Sequence, residues 1–261
     1  MTIFKHEMKQ GRSSLIVWTA AISFMLGICV IIYPEMSAQM EDVSAMFADM
    51  GGFSQAFGMD KINFGEFIGF FGVECGNVLG LGGAFFAALL GISALAKEEK
   101  EHTAEFLLTH PVSRTRIIAQ KLCAVIAQLV ILNLVVIAVT ALSVLIIGEE
   151  ADEKTFALLF LAFFLMQLEV AAVTFGSSAF LKRGSLGIGL GLAAVFYFMN
   201  IVANLIDETK FLKYITPFGY TESADIIADG ALHGGCLAVG MALAALGIIL
   251  AFWKYGRKDI S

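Results

Sequence analysis

The sequence has little charge for its length, since only 15% of its 261 residues are Asp, Glu, Lys or Arg. A soluble globular domain carries about 25% charged residues. Hydrophobic residues make up 58% of the chain, and the mean hydropathy is +0.82. This composition excludes an ordinary soluble domain and indicates a protein that resides in a lipid bilayer.

Six apolar stretches have about the 20 residues or more that a membrane-spanning helix needs. They are Ser14–Tyr33, Phe67–Ala96, Leu122–Ile147, Thr155–Leu181, Leu186–Ile206 and Leu232–Trp253. We therefore predict an all-α, polytopic membrane protein with six transmembrane helices in a single domain over residues 1–261. The first stretch is of span length and lacks an A-x-A-like cleavage site, so we expect a retained helix and not a cleaved signal peptide.

The sequence shows no pattern that is typical of a metal site or a catalytic site. Its four cysteines lie in or beside the apolar stretches without paired or metal-type spacing, and we interpret them as packing residues. An intramembrane enzyme would need a cluster of His, Asp and Glu at membrane depth. The four histidines instead lie outside the apolar stretches or at their edges: His6, His102, His110 and His233. We therefore predict that the chain is not an enzyme and holds no metal.

Lysine and arginine are distributed unevenly between alternate loops. With a cytoplasmic N-terminus, 13 of the 17 basic residues fall on the inner side. The other four fall outside: Lys61, Lys154, Lys210 and Lys213. Because positive residues favour the cytoplasmic side, we predict that both termini are cytoplasmic. The net charge of −6 comes mostly from acidic outer loops and argues against nucleic-acid binding.

Two segments outside the apolar stretches have a distinct character. In Met1–Arg12, the residues Ile3, Phe4 and Met8 can share one helical face, which favours an N-terminal interfacial helix on the inner membrane surface over a frayed basic tail. Residues 34–66 form a long outer loop that mixes acids with Met and Phe. This loop is either a structural cap or a surface that contacts substrate.

Several polar side chains fall within the apolar stretches. Glu169 lies near the bilayer centre, where a lone carboxylate is costly and needs a cavity or a polar partner. It either joins two helices by a hydrogen bond or has a role in a transport pathway. Glu74 and Asn77 lie near the outer boundary, and Asn200 and Asn204 lie in the outer part of the fifth stretch. Candidate partners of Glu169 are Gln128, Asn133, Gln167, Asn200 and Asn204.

Small residues recur every four positions along the second apolar stretch: Gly72, Gly76, Gly80, Ala84 and Ala88. Such a stripe allows a neighbouring helix to approach closely. We therefore predict that it serves helix packing.

The loop after the fifth apolar stretch alternates aromatic and acidic residues around Pro217. We predict a short broken helix that dips into the outer membrane interface. Tyr214, Phe218 and Tyr220 would then form part of an aromatic belt.

The segment from Lys97 to Lys121 is a dense charged insert in an otherwise apolar chain. Residues 97–108 are good helix formers, and Pro111 must end that helix. One interpretation is a solvated helix that only joins two spans. The other is a surface on which a partner docks.

These residues resemble the signature loop of the type-2 ABC exporter permeases. In that family the loop reads roughly as an acid, Gly-Thr, an acid, paired leucines, Pro-Val-Ser-Arg and a lysine that opens the third span. The matching residues here are Glu101, Thr103, Glu105, Leu107, Leu108, Pro111, Val112, Ser113, Arg114 and Lys121. His102 stands where the family usually has glycine.

The resemblance implies a six-helix permease subunit in a bacterial plasma membrane, paired with an identical or related permease and with two copies of an ABC ATPase. It implies a coupling loop over residues 97–116, with a helix between helices 2 and 3. The implied ATPase-coupling residues are Glu101, Thr103, Glu105, Leu107, Leu108, Pro111 and Arg114. The sequence contains no P-loop motif (GxxxxGKS or GxxxxGKT), so the partner is expected to bind ATP and Mg. The expected cargo is a lipid, peptide, antibiotic or other amphipathic compound.

A proton-coupled secondary transporter that uses Glu169, with Glu74 as a second carrier, is the main alternative. Such a transporter predicts more ionisable residues within the membrane and an internal repeat. The sequence shows neither, and the permease is the favoured interpretation.

Overall fold

The computed structural model describes residues 2–49, 51–56, 61–63, 65–97, 113–149, 152–181 and 186–257, without the side chains of 38–49 and 53. Within these ranges the chain forms helices and no strand, which confirms the all-α prediction. Six helices are long and apolar enough to cross a membrane, as predicted. We number them spans 1 to 6: Thr2–Ser37, Phe67–Ala94, Arg114–Ile147, Glu153–Ser178, Leu186–Leu205 and Gly234–Arg257.

Span 1 belongs to a longer helix, Thr2–Asp49, that continues past Pro34. The helix expected over residues 1–12 is therefore continuous with span 1, and its position on the membrane surface stays a prediction. The same helix extends into the outer loop expected over residues 34–66. A short helix, Gly52–Ala56, follows.

Local capping sets the ends of spans 3 and 4. The Ser113 hydroxyl accepts a hydrogen bond from the Arg116 N–H where span 3 begins. Span 3 ends at Ile147 and is capped by Gly148, whose φ of 73° is the left-handed conformation that glycine adopts readily. Asp152 then caps span 4. Hydrogen bonds from the Thr155 hydroxyl and from backbone N–H groups hold the pKa of Asp152 below its usual range, so this cap weakens only in acid.

Spans 2 and 4 lie at the centre of the bundle, since 56% of the most apolar 18-residue stretch of each helix is buried. They approach closely because glycines of span 2 face larger residues of span 4. Gly80 contacts Phe163, and Gly83 contacts Gln167. Ala84 and Ala88 are buried as well. The small-residue stripe therefore serves packing, as predicted.

Span 2 is interrupted by a π-helix, Gly76–Leu81, between the α-helices Phe67–Cys75 and Gly82–Ala94. A π-helical turn is wider than an α-helical turn and is rare in proteins. No feature of the sequence pattern predicts this interruption.

Spans 4 and 6 approach closely where Gly176 faces Gly247, and this contact yields a testable prediction. A Cβ on Gly247 would lie 2.6 Å from the backbone oxygen of Ala172. Gly247→Ala is therefore expected to destabilise the protein by about 1–3 kcal/mol, because a backbone oxygen cannot rotate away. The midpoint of thermal unfolding in detergent measures this change. Gly191→Ala is the matched control, since a Cβ there meets nothing within 4 Å, and an equal loss in both variants would contradict the prediction.

Residues 207–229, which we call the outer segment after their predicted location, connect spans 5 and 6 through three short helices: Asp207–Tyr214, Pro217–Tyr220 and Ser223–Asp229. The predicted broken helix around Pro217 is thus confirmed. The predicted aromatic belt is wrong for Phe218 and Tyr220, which are 5% and 2% exposed, whereas Tyr214 is 45% exposed. The chain turns inward here because the Thr216 hydroxyl donates a 2.7 Å hydrogen bond to the Phe196 carbonyl oxygen of span 5.

Candidate functional site

Most of the predicted ATPase-coupling residues lie outside the described residues: Glu101, Thr103, Glu105, Leu107, Leu108 and Pro111. Arg114, at the start of span 3, is described. Its Nη1 donates a hydrogen bond of 3.4 Å to the backbone oxygen of Tyr255 near the end of span 6. Arg114 therefore ties together the ends of spans 3 and 6 on the side predicted to be cytoplasmic.

A second cluster, which we call the inner junction, combines the ion pair of Lys121 and Glu7 with a hydrogen bond from Lys121 to Ala94. The Lys121 ammonium is 2.7 Å from Glu7 Oε1 and donates a 2.8 Å hydrogen bond to the Ala94 carbonyl oxygen. The Lys121 side chain is only 1% exposed. One ammonium thus joins the start of span 1, the end of span 2 and the first part of span 3.

The inner junction holds together the two points where the predicted coupling loop leaves and re-enters the bundle. Ala94 ends the last helix of span 2, and Lys121 lies seven residues after Arg114, where span 3 begins. A cation near the end of a helix also interacts favourably with the helix dipole. The sequence motif identifies Lys121 but not Glu7, because an acid in the middle of the basic segment Met1–Arg12 carries no distinct signal.

Glu169 does hydrogen-bond across the bundle, but to a residue that was not among its predicted partners. Its Oε2 accepts a 2.9 Å hydrogen bond from the Tyr220 hydroxyl, and the carboxylate is 1% exposed. Burial, with Glu169 beside it, raises the pKa of Tyr220, so the phenol keeps the proton that it donates. A Cβ on Gly240 of span 6 would overlap the Glu169 carboxylate. Glu169 therefore joins spans 4 and 6 to the outer segment.

The amides proposed as partners of Glu169 lie elsewhere. The Asn133 amide donates a 2.6 Å hydrogen bond to Gln167 Oε1, which links span 3 to span 4. Gln128 donates to the backbone oxygen of Ala124 within its own helix. None of the five predicted partners bonds Glu169 within the described part of the chain, because Gln167 and Glu169, two residues apart, face different neighbours.

Glu74 and Asn77 are not brought to Glu169 either. Cys29 of span 1 donates a 3.6 Å hydrogen bond to Glu74 Oε2, so Glu74 contacts span 1. Asn77 is exposed and lines a cavity that Asn200 also lines. Two of the predicted pathway residues are thus neighbours of one cavity.

Asn200 and Asn204 converge on Glu222, a residue that the sequence analysis missed. Their amide groups donate hydrogen bonds of 2.6 and 2.7 Å to Glu222 Oε1. Asn204 also donates to the backbone oxygen of Ala56 at 3.3 Å. The two asparagines are four residues apart and so share one face of span 5. That spacing predicts a common partner, but only the fold identifies it.

Two adjoining cavities lie beside Glu222, which lines both of them. The first has a volume of about 70 Å³ and is lined in part by Asn77, Tyr197 and Asn200. The second has a volume of about 250 Å³ and is lined mainly by polar and charged residues, most of which belong to the outer segment. We call them the first and second outer cavities.

The six long apolar helices define the chain as a multi-pass α-helical membrane protein. A family model described as ABC-2 family transporter protein matches residues 1–260, and the chain belongs to this family. The protein is thus a permease of an ABC transporter, which confirms the resemblance found in the sequence. No curated protein matches the chain.

Proposed function

We propose that this protein is the membrane-spanning subunit of an ABC exporter. It forms the substrate pathway with a second permease subunit, the same chain or a related one. Two copies of a separate ATPase subunit bind ATP and Mg and drive the export of an amphipathic compound such as a lipid, peptide or antibiotic. The family match supports the membership, and the inner junction is the observation that carries the coupling.

The inner junction suits a coupling device because it is stiff. A partner that pushes on the loop between spans 2 and 3 moves the bundle only if the two ends of that loop cannot slide apart. Lys121 bonds both Glu7 and the end of span 2, and Arg114 bonds the end of span 6. Movement of the loop would therefore tilt spans 1, 2, 3 and 6 together.

The proposed orientation places both termini and the coupling loop in the cytoplasm of a bacterium, with the outer segment on the far side of the plasma membrane. The distribution of Lys and Arg supports this orientation. The ATPase would then meet the loop, the first turns of span 1 and the end of span 6 on one face.

The test is co-expression and co-purification with a candidate ABC ATPase subunit, followed by ATPase measurements after reconstitution in liposomes. The double variant Glu105→Ala, Arg114→Ala is expected to lose most of the bound ATPase. Its permease-stimulated rate of ATP hydrolysis is expected to fall at least tenfold. Glu153→Ala with Lys154→Ala, at the opposite membrane face, is the matched control. If the first double variant assembles and stimulates as the wild type does, the coupling proposal is wrong.

For Glu169 we propose a structural role in place of a proton-carrying one. The supporting observations are its bond to Tyr220 and the close approach of Gly240. Glu169 lines neither of the two outer cavities. The alternative of a proton-coupled transporter therefore has no geometric support at this residue.

A further inference from the structure

The Glu222 carboxylate is held in place by hydrogen bonds that the described residues donate to only one of its two oxygens. Oε1 accepts the hydrogen bonds of Asn200 and Asn204, whereas no described residue donates a hydrogen bond to Oε2. Both donors come from one face of span 5, so the carboxylate cannot turn away without losing both bonds. Glu222 therefore presents a fixed, negatively charged acceptor to its surroundings.

Asn200 adds a second acceptor. The residue is 8% exposed, and its Oδ1 has no hydrogen-bond partner among the described residues. A buried amide oxygen without a donor is unfavourable. The amide nitrogen of Asn200 is bound to Glu222, which fixes the orientation of the amide. Its oxygen can therefore accept a hydrogen bond from a donor that enters the cavity that Asn200 lines.

The first outer cavity gives such a donor room. Its volume of about 70 Å³ is several times the roughly 10–15 Å³ that one water molecule needs. Among the described residues of its lining, Glu222 is the single charged one, and Ile62, Val73 and Phe163 contribute apolar walls. The cavity thus combines one negative charge with surfaces that suit methylene groups.

Three lysines that line the second outer cavity are the competing cations. Lys61 pairs with Asp225 at 3.2 Å, and Lys210 pairs with Asp207 at 2.6 Å. Lys213 lines the same cavity as Glu222 and has no ion pair among the described residues. Lys213 is therefore the internal group against which an incoming cation must be tested.

We propose that Glu222 and Asn200 form a binding site for a primary ammonium group, with the attached carbon chain along the apolar walls of the first outer cavity. An ammonium supplies the positive charge that Glu222 attracts. It also supplies N–H groups that can donate hydrogen bonds to Glu222 Oε2 and Asn200 Oδ1. This proposal rests on the export function proposed above and narrows its cargo to a cationic amphipath that carries a primary amine.

The test compares two cations that differ in their N–H groups. The purified protein, without the ATPase, is placed in phosphatidylcholine nanodiscs and titrated with octylamine or with octyltrimethylammonium, and the thermal midpoint is followed. Octylamine is expected to raise the midpoint saturably. The quaternary cation, which has no N–H group, is expected to bind at least tenfold more weakly.

The variant Glu222→Gln removes the charge and keeps an oxygen that Asn200 and Asn204 can bond, so the fold is preserved. It is expected to weaken octylamine binding at least tenfold, and Asn200→Ala is expected to weaken it to a lesser extent. Glu208→Gln makes the same charge change on an exposed residue of the outer segment and is expected to leave binding unchanged.

Three results would overturn the proposal: equal binding of both cations, equal effects of Glu222→Gln and Glu208→Gln, or octylamine binding that appears only in Lys213→Gln. The last result would identify Lys213 as the internal occupant. Because the titration needs no ATPase, its outcome is independent of the coupling experiment. Amine binding without ATP-driven export would leave this site standing and contradict the exporter proposal.

Discussion

Replacing Lys121 with methionine is expected to destabilise the protein by about 3 kcal/mol, because two hydrogen bonds from a charged group are lost together. Methionine has nearly the same length and keeps the apolar contacts, so the change isolates the ammonium. The loss should appear as a lower thermal midpoint in detergent. It should also appear as faster amide hydrogen exchange in the first turns of span 1, which the ion pair to Glu7 anchors.

Lys9→Met is the matched control for this prediction, since Lys9 is an exposed lysine on the same helical segment as Glu7. The exchanged pair Glu7→Lys with Lys121→Glu is a stricter test. It restores the opposite charges, but a glutamate at position 121 cannot donate to the Ala94 carbonyl oxygen. The exchange is therefore expected to recover little stability, and complete recovery would show that the bond to Ala94 contributes nothing.

Replacing Tyr220 with phenylalanine is expected to destabilise the protein by about 2 kcal/mol and to loosen the outer segment. The variant keeps the ring in its buried site but leaves Glu169 without the donor that its Oε2 now has, and an unsatisfied buried acceptor is costly. Hydrogen exchange should increase in residues 216–224 more than in the spans. Tyr214→Phe, at an exposed tyrosine of the same segment, serves as the control.

Glu169→Gln separates the two roles considered for this residue. Glutamine cannot ionise, but its side-chain oxygen still accepts the Tyr220 hydrogen bond. If Glu169 is structural, the variant should keep its thermal midpoint and its ATP-driven transport, while Tyr220→Phe loses stability. Loss of transport in a stably folded Glu169→Gln variant would instead favour a role for ionisation.

The sequence predicts the spans of this protein well because hydropathy is a property of each stretch by itself. In lipid every backbone polar group must be hydrogen-bonded within the protein, so a continuous apolar stretch of sufficient length is expected to be helical. Asn200 and Asn204 were identified for a related reason, since amides within an apolar helix require partners.

The partners themselves could not be predicted, because they come from a segment that reads as an outer loop. Tyr220 and Glu222 lie in an aromatic and acidic stretch that composition assigns to the membrane interface. Their position inside the bundle follows from the inward turn at Thr216 and from the 2.6 Å hydrogen bond between the Ser223 hydroxyl and the Gly72 carbonyl oxygen. Such contacts join residues far apart in the sequence and leave no periodic pattern.

The π-helix of span 2 explains how small residues spaced four apart stay on the face of the helix that contacts span 4. In a regular α-helix, a step of four residues advances about 40° beyond a full turn, so a stripe with this spacing would wind away from its neighbour. The wider π-turn between Gly76 and Leu81 compensates for that drift, and Gly76 and Gly80 both face Phe163. These six residues therefore set the rotational phase between the two halves of span 2. Deletion of one residue from the π-helix would rotate the two halves of span 2 by about 100° relative to each other. Glu74 and the Gly72 carbonyl oxygen, which accepts the Ser223 hydrogen bond, would then face other neighbours.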